Sequence, residues 1–433
     1  MRAAADRATV LPSARARGRV TVPGDKSISH RYAMLAALAR GTTRIRGYSR
    51  GADCAATLGC IRAVGASAEW DADNIVISGP PDARLRPPSA PLDALNSGTT
   101  MRLMSGILAG HPFSSRLTGD ASLRRRPMRR VIDPLTRMGA TVSSDDGRPP
   151  LDIQGTTLRA ITHRPEVPSA QVKSCVLLAG LFAAGETVVL EPTPTRDHTE
   201  RALETFGVRV ERGDGRIGIR GGQQLEAQDL TVPGDISGAA FWAALAAGTP
   251  GGHVTITGVG LNPTRTALLD VLQRAGAHVS AETSSSAVGE PMGTLTVAFA
   301  RLESFEITPE EVPGVIDEIP ALAALAAIMP VGHSLIVRGA RELRVKESDR
   351  ISSLAAGFRA MGSQVEEFDD GFRLIARPLR AAEVDAVGDH RLAMAFAIAA
   401  TRAAGPVTIL EASAVDVSYP GFFETLAALT LGS

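Results

Sequence analysis

The chain has 433 residues, 44% apolar and 4% aromatic, and its 46 Lys and Arg balance 46 Asp and Glu to a formal net charge of zero. That length predicts two or more domains, and the charge balance excludes a general nucleic-acid or membrane-surface binder. No apolar run approaches the ~18 residues of a membrane span, and none reads as a secretory signal core.

The first 17 residues hold several Arg and Ala and predict a short irregular start. A β-prone run over 18–22 then meets Thr21-Val22-Pro23-Gly24-Asp25-Lys26-Ser27-Ile28-Ser29-His30-Arg31. Pro23-Gly24 breaks the strand, Asp25 or Ser27 caps a helix, and apolar residues continue to Leu38. A strand-to-helix turn with backbone N–H groups, a Ser hydroxyl, a Lys and an Arg one turn later suits an oxyanion, above all a phosphate. It is not a Walker A loop: Asp25 separates Gly24 from Lys26, and no earlier glycine has the needed spacing. Thr231-Val232-Pro233-Gly234-Asp235-Ile236-Ser237-Gly238 repeats the segment without its Lys and Arg. The geometry was copied, and one copy kept the charges.

An internal repeat organises the chain. Six times a polar turn leads into a helix of small apolar residues, a Gly or Pro break and a β-prone run, beginning near Ser27, Ser97, Ser169, Asp235, Asp317 and Gly388. Between the copies lies a second, amphipathic helix that ends in glycine, as in CIRAVGASA, PLTRMGATV, ETFGVRV, LQRAGAHV and FRAMGSQV. The sixth copy is cut short, so the N-terminal strand near Val10 and Val20 is expected to complete it, placing both termini in one domain. Each unit reads roughly β-α-β-α-β-β, with an all-round apolar helix destined for a domain centre. Cys54, Cys60 and Cys175 form no CxxC, sit in small-residue helical patterns and predict buried thiols in a reducing compartment, the cytoplasm. No His, Cys or carboxylate cluster has metal-ligand spacing, and no nucleophile triad is visible, so no metal is expected.

The polar turns gather the charged residues, and helix N-termini favour anions. Beyond Lys26, Ser27 and Arg31, these turns are Asn96-Ser97-Gly98, Ser169-Ala170-Gln171, Gly314-Val315-Ile316-Asp317-Glu318 and Gly388-Asp389-His390-Arg391. Arg124-Arg125-Arg126-Pro127, Thr195-Arg196 and Arg344-Val345-Lys346-Glu347-Ser348-Asp349-Arg350 add to them. Taken singly, they are ordinary caps, dipole partners and solvated charge runs.

Taken together and in this order over nearly the whole chain, PGDKSISHR, LTGDASLRRRPM and RVKESDR resemble the signatures of the enolpyruvyl transferase family, in its branch that acts on shikimate 3-phosphate. The resemblance implies a two-lobed inside-out α/β barrel of six βαβαββ units, three per lobe. One lobe would hold residues 1–22 plus 235–433 and the other 23–234, with a hinge near 21–25 and 231–235 and the site in the cleft. It implies transfer of the enolpyruvyl group of phosphoenolpyruvate to the 5-hydroxyl of shikimate 3-phosphate, with no cofactor, by a monomer with small-molecule partners only. Lys26, Ser27, Arg31, Ser169, Ala170 (through its backbone), Gln171, Thr195, Arg196, Asp317 and Lys346 would contact shikimate 3-phosphate. Lys26, Gly98, Arg126, Gln171, Arg350 and Arg391 would contact phosphoenolpyruvate. Asp317, preferred over Glu318 as base, with Glu347 and Lys26, would move protons. The sister branch that acts on a UDP-amino sugar carries a reactive Cys in the loop matching 115–126, and this chain has none there. A phosphate-binding module without catalysis would need no acids beside the cations.

Overall fold

In the computed structural model, which describes residues 6–82, 84–284 and 289–431, the six polar turns open six helices buried nearly all round. They are Lys26–Leu38, Gly98–Ala109, Ala170–Gly180, Ile236–Gly248, Ile319–Ala327 and His390–Ala400. Five are capped by the residue type their turn supplies: Asp25, Ser97, Ser169, Asp235 and Asp389 each accept a first-turn backbone N–H through the side chain. The sixth, Ile319–Ala327, has no side-chain cap and carries Pro320 in its first turn, where a missing N–H costs nothing. Small residues let these helices approach closely. A Cβ added at Gly106 would lie 2.3 Å from the Cys175 carbonyl oxygen on the neighbouring helix.

The amphipathic helices are Ala52–Ala63, Arg129–Met138, His198–Thr205, Ala267–Arg274 and Arg350–Ala360. Each is followed by a glycine with positive φ (Gly65, Gly139, Gly207, Gly276 and Gly362), the left-handed turn that ends a helix and is costly for other residues.

The strands form repeated four-stranded sheets. One sheet runs Asp229–Thr231, Thr42–Arg46, Asn74–Ser78, Ser67–Asp71, with the first pair parallel and the rest antiparallel. The parallel pair sets Asp229 opposite Arg44, and the antiparallel pair sets Thr42 opposite Ser78. The same pattern recurs in the sheets centred on Ser114–Thr118, Glu186–Leu190, His253–Gly260 and Ser334–Val337. A further sheet has three strands, Arg7–Val10, Val407–Leu410 and Ala382–Asp385, and Leu158–Arg159 pairs in parallel with Ala183–Ala184.

The N-terminal expectation divides here. Arg7–Val10 does complete the sixth repeat, antiparallel to Val407–Leu410. The strand near Val20 does not: Arg17–Thr21 pairs in parallel with His253–Gly260 and completes the fourth repeat instead. The start is irregular only in part: residues 7–10 are held as a strand, while 11–16 form no regular element.

The chain forms two compact units. One comprises, among the described residues, 6–23, 233–284 and 291–431; the other comprises 24–232 with Gly289 and Glu290. Each contains three of the buried helices and has its own apolar core. In the first, Trp242 stacks on Phe422 at 4.7 Å and donates from Nε1 to the Tyr419 hydroxyl at 2.9 Å. Against the expected boundaries, Pro23, Pro233 and Gly234 fall with the first unit. Gly289 and Glu290 fall with the second unit because Glu290 Oε1 lies 2.7 Å from His198 Nδ1 and the Gly289 carbonyl accepts from Arg201 at 3.3 Å.

Candidate active site

Two groups of the predicted residues form, one within each unit. In the 24–232 unit, Asp25 caps the first helix, accepting from the Ile28 N–H at 2.9 Å, and so leaves Ser27 half-buried beside Lys26. Lys26 Nζ pairs with Asp53 Oδ2 at 2.9 Å. Arg31 is buried, and it donates to the Ser27 carbonyl at 2.8 Å, Ser174 Oγ at 2.8 Å and Thr199 Oγ1 at 2.6 Å. Burial pushes its guanidinium down to about 10, with Glu200 and Asp25 opposing the shift. These are not the solvated cations of a merely capped helix.

The second and third buried helices bring Gly98, Arg126 and Gln171 together. A Cβ on Gly98 would meet Arg102 Nη1 at 2.7 Å and Arg126 Nη1 at 3.2 Å, so the bare backbone lies against two guanidinium groups. Of the three arginines at 124–126 only Arg126 is buried, and it donates to Asn96 Oδ1. Arg102 donates to Gln171 Oε1 at 2.6 Å, and Gln171 Nε2 donates to Thr99 Oγ1 at 3.0 Å. Ser169 caps its helix, and the Ala170 carbonyl accepts from Ser174 Oγ at 2.6 Å. Thr195 is buried with its hydroxyl on Glu191, and Arg196 is half-buried.

The other unit holds Asp317, Lys346, Glu347, Arg350 and Arg391. Asp317 Oδ1 lies 3.8 Å from Lys346 Nζ and 3.7 Å from Arg350 Nη1, and its carbonyl accepts from Arg391 Nη1 at 2.7 Å. Glu318, the other acid of the pair, is fully buried and bound to Arg265 at 2.9 Å and to the Ser237 hydroxyl. Its structural commitment leaves Asp317 as the acid beside the cations. Arg350 donates to Asp389 from Nε at 2.8 Å and to Glu347 from Nη2 at 2.6 Å. Lys346 and Arg350 do not share a helical face, since the helix starts only at Arg350; they meet through Asp317. The copy of the Pro-Gly-Asp turn that lacks Lys and Arg supplies Asp235 and Gly238 to a cavity of about 10 Å³ that Arg391 also lines.

Sequence reasoning passed over Asp53, Lys173, Glu191, Glu200, Arg265 and Asp389. Their partners lie far along the chain, which no local pattern reports. Two carried a signal: Lys173 is a charge inside an apolar helix, and Asp389 is a cap within GDHR.

One pH effect follows from the first helix. His30 is buried and bonds Thr57 Oγ1 through Nδ1 at 2.6 Å. Burial, then Lys26 and Arg31, push its imidazole well below the ordinary 6.5. The unfolded chain therefore binds the proton first. The stability this group contributes is full above about pH 6.5 and is lost as pH falls toward the folded value, at up to about 1.4 kcal/mol per pH unit. Urea midpoints between pH 7.5 and 5.5 should fall in the native protein and fall less in His30→Gln.

The sequence matches the profile of the family described as EPSP synthase (3-phosphoshikimate 1-carboxyvinyltransferase) over residues 10–426. It is 50% identical over 418 residues to the 3-phosphoshikimate 1-carboxyvinyltransferase of Koribacter versatilis, covering 96% of this chain and 97% of that one. It is also 50% identical over 414 residues to that of Acidithiobacillus ferrooxidans, covering 95% of each. A solved EPSP synthase from Acinetobacter baumannii superposes with a TM-score of 0.87 at 41% identity over 98% of both chains. The enolpyruvyl transferase NikO from Streptomyces tendae shares the fold, with a TM-score of 0.78 at 20% identity over 98% of both chains. With the inside-out α/β architecture, the ordered motifs and these likenesses in agreement, this chain belongs to the EPSP synthase family.

Proposed function

We propose that the two groups of cations and acids bind the substrates and move the protons of a single enolpyruvyl transfer. The enzyme transfers the enolpyruvyl group of phosphoenolpyruvate to the 5-hydroxyl of shikimate 3-phosphate. The products are 5-enolpyruvylshikimate 3-phosphate and phosphate, on the shikimate route to aromatic amino acids. The observation that supports our site assignment is Asp317, a carboxylate 3.8 Å from Lys346 and 3.7 Å from Arg350.

Addition requires a proton on the methylene carbon of phosphoenolpyruvate and loss of the hydroxyl proton of the acceptor; elimination of phosphate reverses that flow. Asp317 is our base, and Glu347 and Lys26 are our acids. Lys26, Ser27, Arg31, Ser169, the Ala170 backbone, Gln171, Thr195, Arg196, Asp317 and Lys346 hold shikimate 3-phosphate. Lys26, Gly98, Arg126, Gln171, Arg350 and Arg391 hold phosphoenolpyruvate and stabilise the charge of the tetrahedral intermediate. Arginine suits this work because its planar fork grips carboxylate and phosphate through paired hydrogen bonds.

The rival acceptor, a UDP-amino sugar, is disfavoured by the thiols. Burial pushes all three up, Cys60 and Cys175 to about 12, so none is a ready nucleophile or acid. We also assign a monomer in the cytoplasm. Buried reduced thiols support the compartment, and among the described residues no helix is long and apolar enough to cross a membrane.

Phosphate release with both substrates, with each alone, and with a UDP-amino sugar as acceptor tests the reading. Release only with shikimate 3-phosphate is expected; release only with the UDP-sugar, or none, would reject it. Gly98→Ala tests the phosphoenolpyruvate assignment. The added methyl forces Arg102 Nη1 aside and presses on Arg126 Nη1, so KM for phosphoenolpyruvate should rise about 10- to 100-fold, more than KM for shikimate 3-phosphate.

A further inference from the structure

Lys173 is a buried cation that the proposed reaction does not use. It lies in the Ala170–Gly180 helix, 1% exposed, with Nζ 2.9 Å from Glu191 Oε2 and 2.8 Å from Glu200 Oε1. It also donates to the Thr195 carbonyl at 3.4 Å, and the Thr195 hydroxyl donates to the other oxygen of Glu191. Its sequence neighbour Ser174 and the neighbour of Glu200, Thr199, are the two hydroxyls that Arg31 grips.

Two cations and two carboxylates are thus packed into one buried region, yet both carboxylates pair with Lys173. Arg31 instead donates to neutral groups, two hydroxyls and the Ser27 carbonyl. This division is not what pair strengths alone favour. A guanidinium binds a carboxylate more strongly than it binds a hydroxyl. Glu200 Oε2 is buried without a hydrogen-bond partner, so this carboxylate has capacity left over. Glu200 is also the largest charge opposing the downward push of burial on Arg31.

We propose that Lys173 is a positioning residue: it occupies Glu191 and Glu200 so that Arg31 is kept for the anionic substrate instead of being captured by them. The inference rests on the assignment of Arg31 to shikimate 3-phosphate. Without Lys173 the region carries one excess negative charge. Arg31 then turns to Glu200, and the substrate meets a neutralised arginine and an unpaired carboxylate. Thr195 loses the Lys173 contact to its carbonyl and keeps only its hydroxyl bond to Glu191.

The test is steady-state phosphate release by the full chain with both substrates. For Lys173→Met, KM for shikimate 3-phosphate should rise about 10- to 100-fold, with kcat at saturation and KM for phosphoenolpyruvate within about threefold. Lys173→Met combined with Glu200→Gln restores the local charge and should bring KM back to within about threefold of the native value. A purely packing role for Lys173 predicts no such rescue. An unchanged KM in folded Lys173→Met, or a double variant no better than the single, overturns the proposal. Where Lys173→Met does not fold, Glu200→Gln alone decides. It leaves Lys173 paired with Glu191, so KM should be unchanged or lower, and a tenfold rise overturns the proposal. Native turnover with shikimate 3-phosphate is the control: its absence rejects the substrate assignment and this inference with it, whereas native turnover with the wrong variant pattern rejects this inference alone.

Discussion

Asp317→Asn is expected to lower kcat by about 10²- to 10⁴-fold, the range that a positioned proton-transfer group supplies. The carboxylate lies 3.8 Å from Lys346 and 3.7 Å from Arg350. Glu318 is the contrast. It is fully buried on Arg265 and Ser237, and Glu318→Gln weakens a desolvated pair instead of removing a proton acceptor. Measuring kcat with both substrates saturating, together with urea unfolding of each variant, separates the two acids. Full activity in folded Asp317→Asn would remove it as the base and move the role to Glu347.

Arg350→Met should lose both stability and phosphoenolpyruvate binding. The side chain is 1% exposed and faces Asp389, Glu347 and Asp317. Burial opposes its charge, but Asp389, Glu347 and then Asp317 outweigh that and raise the guanidinium above its ordinary value. Replacing it leaves Asp389 buried and without its cation. Breaking such a pair costs about 3–5 kcal/mol. Denaturant unfolding checks the stability, and isothermal titration with phosphoenolpyruvate in the presence of shikimate 3-phosphate checks the site. Arg350→Lys should recover part of the stability but little of the binding, because an ammonium cannot reproduce the planar fork that reaches Asp389 and Glu347 together. A loss below ~1 kcal/mol in Arg350→Met would mean that Asp389 finds another partner, and its positioning of Arg350 would then need revision.

The repeat was legible because each of its signals is local. Ser and Asp before an apolar run specify a helix start, and five of the six helices are capped that way. Glycine after an amphipathic run specifies its end, and all five predicted glycines take positive φ. All-round apolar helices must be buried, and all thirteen residues of Ile236–Gly248 are. The choice of Arg126 among three adjacent arginines and of Asp317 beside Glu318 is what the family resemblance implies, not what local spacing shows; of the three arginines, Arg126 is the buried one.

What the chain order could not convey was pairing across long separations. Arg17–Thr21 and Arg7–Val10 are both short β-prone runs, and nothing local distinguishes the partner His253–Gly260 from Val407–Leu410. That choice comes from which sheet has an open edge once the helices are packed. The same holds for charge. Lys26 meets Asp53, Lys173 meets Glu191 and Glu200, and Arg350 meets Asp389, each through folding that brings distant turns together. A buried ion must find its counter-ion or lose its charge, and only the packed interior decides which one it finds.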